Sequence, residues 1–424
     1  MPTFMQVNKG ELSNIALFSL GKFVSVLGHA IYTFAIGLYV LQLTDSGLSF
    51  ATTLVLGTIP MVMINPFAGV LADRIDKKKL VVVMDLTNGV LFIVMFVISS
   101  VWGLSLAMVY TSTFLISIVT TVFSVSIEIA KPNLVSGRNL INLNAISKII
   151  DSVSTILAPM IGGLIYALFD IKLFILFCGV SYLLSSISEI FIDFDYNHAS
   201  RTKQSKQAKF VEDLKEGFNY ISKTGWLLKV IGVFVCLNFF IGLTINVPLP
   251  FILNQILELS SEHYGIIQSG FPIGMIMGAL IVKKVRERLA YDQLLKHISI
   301  ILSILMGLIG FPLMFVGQIY DSFYLLYYSL VTVMLGFCLA LIDILLFYQL
   351  QTTIPEAYRG RVISIGIALA KLVLPLGLIL SGSLVNRLPA AVLPMLGGSG
   401  FFIINLLMFR RTSSDRKVNE HNSG

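Results

Sequence analysis

The residues of this chain with chemistry to offer are ionisable groups set inside long apolar runs: Lys22, His29, Asp85, Glu128, Lys148, Asp151, Glu189, Asp343 and Lys371. A charge in hydrocarbon is costly, so such residues mark ion or substrate paths, proton relays or ion pairs. Asp343 lies 12 residues before Pro355, and Lys371 lies 10 after Arg361. At about 1.5 Å per residue both sit roughly 15–18 Å from the same end of their helices, and an ion pair is expected between them. Lys148 and Asp151, three residues apart, are spaced to pair locally. Asp85 and Glu189 lie within reach of helix ends and read as snorkelling groups. His29 reads first as a hydrogen-bonded packing residue and second as a ligand. Asp343, Lys371, Asp151 and Lys22 stand as the candidates for proton coupling.

Other chemistry is excluded by pattern. No GxxxxGK[ST] loop is present to cradle nucleotide phosphates. The histidines His29, His198, His263, His297 and His421 are scattered, without HExxH or a Cys/His cluster, so no metal site is expected. Cys178, Cys236 and Cys338 all lie in apolar runs and read as small packing residues. No catalytic residue stands out, and the chain does not read as an enzyme; no cofactor is expected, only a proton gradient as energy source.

The elements that must position these groups are membrane spans. Hydrophobic residues make up 56% of the chain and charged residues 12%, with a mean hydropathy of +0.87. A soluble chain carries about 25% charged residues, so this one has too few to coat a water-facing surface. Apolar runs long enough to cross a bilayer fall at 13–43, 47–71, 79–100, 103–130, 143–168, 172–194, 226–256, 263–282, 293–317, 321–350, 362–386 and 389–409. Only helix satisfies the backbone of an open segment in lipid. The predicted class is an all-α integral membrane protein with twelve transmembrane helices in two six-helix, pseudo-symmetric bundles. The bundles cover 1–194 and 226–424, the second with a short tail, and 195–225 forms a cytoplasmic linker.

Loop charge sets the orientation. With the N-terminus inside, the inner loops and tail hold nearly all the Lys and Arg, while the outer loops hold only Lys172 and Arg387. Both termini are thus expected in the cytoplasm of a bacterial cell, with the protein in its inner membrane. The basic excess, a net charge of +7, belongs to these loops and not to a nucleic-acid surface. The N-terminus has no signal-peptide pattern, so the first span is expected to stay. In the linker, Phe210, Leu214, Phe218 and Ile221 recur at helical spacing among Lys and Glu, which predicts an amphipathic helix on the membrane surface; a solvated linker is the other reading. The halves echo each other, with KPNLVSGRNL after span 4, IPEAYRGRV after span 10, and a mid-span proline next in each case, Pro159 and Pro375.

The most specific stretch is GVLADRIDKKKL, from Gly69 to Leu80. With Gly69, Asp73, Arg74, Lys77 and Lys78 it resembles the signature loop of the major facilitator superfamily, Asp76 standing where most members have a second glycine. That departure, together with SVLGHAIYTFAIGLYVLQLTDSGLSFA, IPMVMINPFAGVLADR, PNLVSGRNLINLNAIS and RGRVISIGIALAKLVLPLG, is similar to the drug-exporting branch that includes macrolide efflux proteins. Span 5 carries Ser154, Ala158, Pro159, Gly162 and Gly163 at spacings that let helices approach closely. The superfamily's antiporter signature has glycine at the first two of these positions and the same Pro-x-x-Gly-Gly. Two departures bear on the proton relay: Ile116 stands where the branch has an arginine, and Val282 where the second signature loop would have aspartate.

The resemblance implies a substrate cavity lined by spans 1, 4, 7 and 10. Those spans carry His29, Tyr32, Phe34, Phe114, Phe123, Phe234, Asn238, Phe239, Asn246 and Phe347. Such an aromatic, weakly charged lining suits large apolar ligands, although aromatic helices also face lipid. It further implies a cytoplasmic latch of Asp73, Lys77 and Glu128, against which stands local pairing of Glu128 with Lys131. The function expected is alternating-access export of amphiphilic or hydrophobic compounds, drug-like and including macrolides, by proton antiport. The partners expected are the small substrate and membrane lipid, with the protein a monomer. Export of a lipid, siderophore or peptide product is the second reading, and a non-transporting membrane sensor the third.

Overall fold

The computed structural model describes residues 9–136, 139–197, 210–286, 291–315 and 320–421, in which every regular element is helical. Eleven helices among them are long and apolar enough to span a bilayer, and a shorter apolar helix, Val392–Leu407, follows. Together they account for the twelve expected spans.

The chain divides into two compact units, one of residues 1–39 and 56–206 and one of residues 40–55 and 207–424. The first holds most of α1 (Lys9–Thr44) and α2 (Gly47–Arg74), with α3 (Lys77–Trp102), α4 (Leu106–Leu134), α5 (Leu140–Leu168) and α6 (Ile171–Ile190). The loop side chains start these helices. Asp76 accepts from the Lys79 amide at 2.9 Å, Ser105 from Met108 at 3.3 Å and Asp170 from Lys172 at 2.7 Å, each taking up an amide that has no partner inside the helix. The departure from glycine at Asp76 therefore has a local role as the cap of α3. Gly103 ends that helix at φ +81°, where a Cβ would be strained. One end of the unit is tied by side chains to backbone. Asn14 bonds Leu134 O and Asp193 O, Glu11 accepts from the Ser136 amide and hydroxyl at 2.7 and 2.8 Å, and Asn197 bonds Pro132 O and Val135 O.

The second unit begins with α7 (Phe210–Lys223), followed by the span Gly225–Ile256. That span is α8 (Gly225–Ile241), a π-helical stretch Gly242–Asn246, the single turn α9 (Pro248–Phe251) and a second π-helical stretch Ile252–Ile256. Pro248 and Pro250 lack amide donors, and the widened turns on either side adjust the backbone around them. Then come α10 (Ser261–Arg286), α11 (Tyr291–Leu308), α12 (Asp321–Thr353), α13 (Glu356–Val385) and α14 (Val392–His421).

The linker helix forms and docks on α13. Tyr220 stacks on Tyr358 at 4.6 Å, Glu216 pairs with Arg361 at 2.5 Å, and Ile221 is buried with Leu227, Ile231 and Val362. Gly217 lies against Arg361 and Ile365 of α13, where a Cβ would come within 2.6 Å of Ile365 Cδ1. Phe218 is left 56% exposed. Gly217 and Ile221 thus meet the bundle together, a contact that spacing alone leaves open. The side chains of Phe210 and Leu214 lie outside the described residues.

The α1–α2 hairpin, residues 40–55, belongs to the second unit. Asn386, at the end of α13, accepts from the Gly47 amide and donates to Asp45 O, both at 2.7 Å, and Gln255 donates to Leu41 O at 2.9 Å. Gly382 allows α13 to meet Ala51 and the Gly47 carbonyl. Asn386→Ala removes two hydrogen bonds, each with a net value of about 0.5–1.5 kcal/mol. The expected outcome is faster amide hydrogen exchange across 45–49 with the rest of the fold unchanged; unaltered exchange there would show that the hairpin is held by packing alone.

A charged cavity in the first unit

Three polar stripes meet inside the first unit. Lys22, Ser25 and His29 recur at helical spacing on α1, Thr120, Ser124 and Glu128 on α4, and Ser147 and Asp151 on α5. Most of them border a cavity of about 290 Å³, with Val26, Phe123, Ile127 and Tyr182. Lys22, 5% exposed, reaches Glu128 Oε1 at 3.2 Å and Asp151 Oδ1 at 3.0 Å, and also donates to Ser147 Oγ. Lys131 pairs with the other oxygen of Glu128, Oε2, at 2.5 Å and lies over the Phe18 ring at 5.9 Å. Glu128 and Asp151 remain 51% and 40% exposed, open to the cavity. One buried ammonium thus holds two carboxylates from two other helices at the wall of the cavity. Such a cluster senses any change in charge or in helix spacing.

Several expectations are corrected by this geometry. Asp151 pairs with Lys22 and not with Lys148, which is exposed, because α5 turns Asp151 toward α1. Glu128 takes both Lys131, its local alternative, and Lys22; Lys77 instead donates to Asn133 Oδ1 at 3.1 Å. The side chains of Gly69, Asp73 and Arg74 lie outside the described residues, and Lys78 is half-buried. Asp85 and Glu189 do not snorkel: they are 0% and 1% exposed, facing inward between α3, α6 and α1. The ion pairs of the described residues include none between Asp343 and Lys371, both half-buried.

The aromatic candidates separate. His29 and Phe123 line the cavity, while His29 Nδ1 itself is buried in the protein without a hydrogen-bond partner. Tyr32 instead packs edge-on to Phe92 at 4.8 Å and bonds Thr113 at 3.3 Å, while Phe114 is exposed. Phe34 lies against Gly162, where a Cβ would come within 2.8 Å of its ring, so the α5 glycine sets an α1–α5 approach. Ser154 and Ala158 are buried on the same helix, in which Pro159 is accommodated, and Gly163 is buried beside Gly162. In the second unit Phe234 meets Phe347 edge-on at 6.0 Å, in a recess with Val230, Ile231 and Leu346. Asn238 bonds back to Phe234 O, Phe239 packs on Phe240, and Asn246 falls in the first π-helical stretch. Ile116, without the arginine of the resembling branch, is fully buried. What the residue reading missed is Ser147, Ser25 and Tyr182, although their stripes at helical spacing were there to be read.

A polytopic all-helical bundle with buried charge around an internal cavity defines a membrane transporter. The Major Facilitator Superfamily model matches residues 18–377, and the chain belongs to that family. Among its relatives is macrolide efflux protein A of Streptococcus pyogenes, 24% identical over 87% of this chain and 88% of that protein. Another is the enterobactin exporter EntS of Escherichia coli, 22% identical over 92% of this chain and 89% of its own length. Solved structures share the fold. The nucleoside transporter NupG has a TM-score of 0.76 at 13% identity, covering 95% of this chain and 99% of its own. A bacterial homologue of the iron transporter ferroportin, in an inward-facing state, has a TM-score of 0.68 at 16% identity, covering 94% and 99%.

Proposed function

We propose that this transporter exports amphiphilic or hydrophobic compounds of drug size, macrolides among them, in exchange for protons. The observation that carries the reading is the cavity in the first unit. Phe123, Tyr182 and Ile127 offer an apolar lining with the His29 ring beside them, and Lys22, Glu128 and Asp151 a charge cluster able to change state when a proton or a cationic substrate enters. Similarity to a macrolide efflux protein and to an enterobactin exporter supports the outward direction. The second of these also keeps a siderophore-like product in view as substrate. The protein works as a monomer in the bacterial inner membrane, with both termini in the cytoplasm, as the loop charge favours.

Cells expressing the protein are expected to accumulate less of a labelled macrolide or amphiphilic dye than control cells, and an uncoupler is expected to restore accumulation. Efflux that survives the uncoupler but stops when sodium is removed would retire the proton.

A further inference from the structure

The first unit contains a second acidic site that the charged cavity does not use. Asp85 on α3 and Glu189 on α6 are fully buried and within electrostatic reach of each other. Ser25 of α1 donates to Asp85 Oδ2 at 2.8 Å and lies 3.0 Å from Ser185 Oγ. Asp85 Oδ1 and both oxygens of Glu189 have no hydrogen-bond partner, and the Glu189 carboxyl lies against Gly21 of α1. Two other groups that could charge or titrate lie close. Tyr182, on α6, donates to the Ser25 carbonyl at 3.1 Å. Lys22, on α1, is committed to Glu128, Asp151 and Ser147. From α4 the neighbouring contact is neutral, Asn88 with Thr120 at 3.3 Å.

Two carboxylates buried within electrostatic reach of each other and without a cation repel each other, and they lack most of the donors that would offset their lost hydration. Protonating one of them removes the repulsion and one of the two uncompensated charges. Access to the pair is narrow. Neither carboxyl borders the 290 Å³ cavity, but Ser25 and Tyr182 do. Ser25 therefore touches the cavity with one side and Asp85 with the other. A hydroxyl in that position passes a proton but has no room to pass a hydrated metal ion.

We propose that Asp85, set against the buried Glu189, is a proton-binding site of the transport cycle, filled and emptied from the cavity through the Ser25 hydroxyl. In loading, a protonated cavity water gives a proton to Ser25 Oγ while the Ser25 hydroxyl proton moves to Asp85 Oδ2. One O–H bond breaks and one forms at each transfer, and no electrons are exchanged. Unloading is the reverse. Glu189, buried without a hydrogen-bond partner against Gly21 of α1, makes the proton's presence matter for the packing of α6 on α3 and α1. The proposal rests on the proton-antiport reading and names its proton carrier.

The test uses the full-length protein in lipid. Infrared difference spectra after a pH jump report protonated carboxyls by their C=O stretch, whatever the substrate. The wild type is expected to show such a band, and Asp85→Asn and Glu189→Gln each to remove or displace it. Ser25→Ala is expected to keep the band but slow its shift on transfer to deuterated water. In proteoliposomes the two amide variants are expected to lose uphill transport of a labelled macrolide while keeping downhill exchange. Glu189→Gln carries the test if Asp85→Asn does not fold. A band identical in wild type and variants, or uphill transport equal to wild type, overturns the site. If that happens while wild-type efflux still collapses with an uncoupler, the site alone has failed. Uncoupler-resistant efflux would instead overturn the antiport reading and, with it, the site's part in the cycle.

Discussion

Lys22→Met is expected to abolish transport and to destabilise the protein, because it leaves Glu128 and Asp151 facing each other across a cavity wall without the ammonium that joins them. Breaking a fully buried pair costs about 3–5 kcal/mol, and the partial exposure of both carboxylates lowers this to roughly 1–3 kcal/mol. Glu128 keeps Lys131 at 2.5 Å, so the larger share of the loss falls on Asp151. Adding Asp151→Asn to Lys22→Met removes the uncompensated charge and is expected to recover most of the thermal stability but none of the transport. A double variant that transports like the wild type would show the cluster to be structural. One that stays as unstable as Lys22→Met would show that Lys22 acts through packing.

The second large effect lies in the second unit and concerns packing alone. Gly270, Gly274 and Gly278 recur every four residues on α10 and face α12. A Cβ at Gly274 would overlap the Val333 carbonyl, and one at Gly278 would come within 2.7 Å of Phe337 O; Gly336 of α12 in turn meets the Phe271 carbonyl. At Gly274, Gly278 and Gly336 the nearest atoms are backbone, which cannot move aside as a side chain can; at Gly270 the nearest is the Thr332 hydroxyl. Gly274→Val is expected to destabilise by at least about 3 kcal/mol, beyond ordinary overpacking, and to leave little folded protein in detergent. Gly307→Ala on α11, where a Cβ meets nothing within 4 Å, is the matched control and is expected to behave as wild type. Equal melting temperatures for the two variants would mean that α10 and α12 do not pack as closely as described.

The spans were legible because the hydrocarbon demands long apolar runs, and the linker helix because its polar and apolar residues alternate at helical spacing. Partner choice was not. Lys148 is the nearer base to Asp151 in sequence, yet neighbours on one helix share only an exposed edge, whereas Lys22 arrives from another helix across the core. The depth of Asp85 was misjudged for a related reason. Distance from a helix end allows snorkelling, but facing decides it, and Asp85 falls on the buried stripe of α3 with Asn88, Phe92, Met95 and Ser99. That stripe can be read from helical periodicity. The Gly270–Gly274–Gly278 seam is likewise written in the sequence. The grip of Asn386 on the α1–α2 hairpin is not, since it joins residues more than 300 positions apart through backbone groups that any sequence would offer.

Proton-coupled export is measured most directly with the purified protein in sealed liposomes, under an imposed pH gradient and with a labelled macrolide. Uphill movement is expected only when protons flow the opposite way, to reverse when the gradient is reversed, and to vanish with a protonophore. Movement of the macrolide at the same rate and to the same extent with and without the gradient would contradict proton-coupled export.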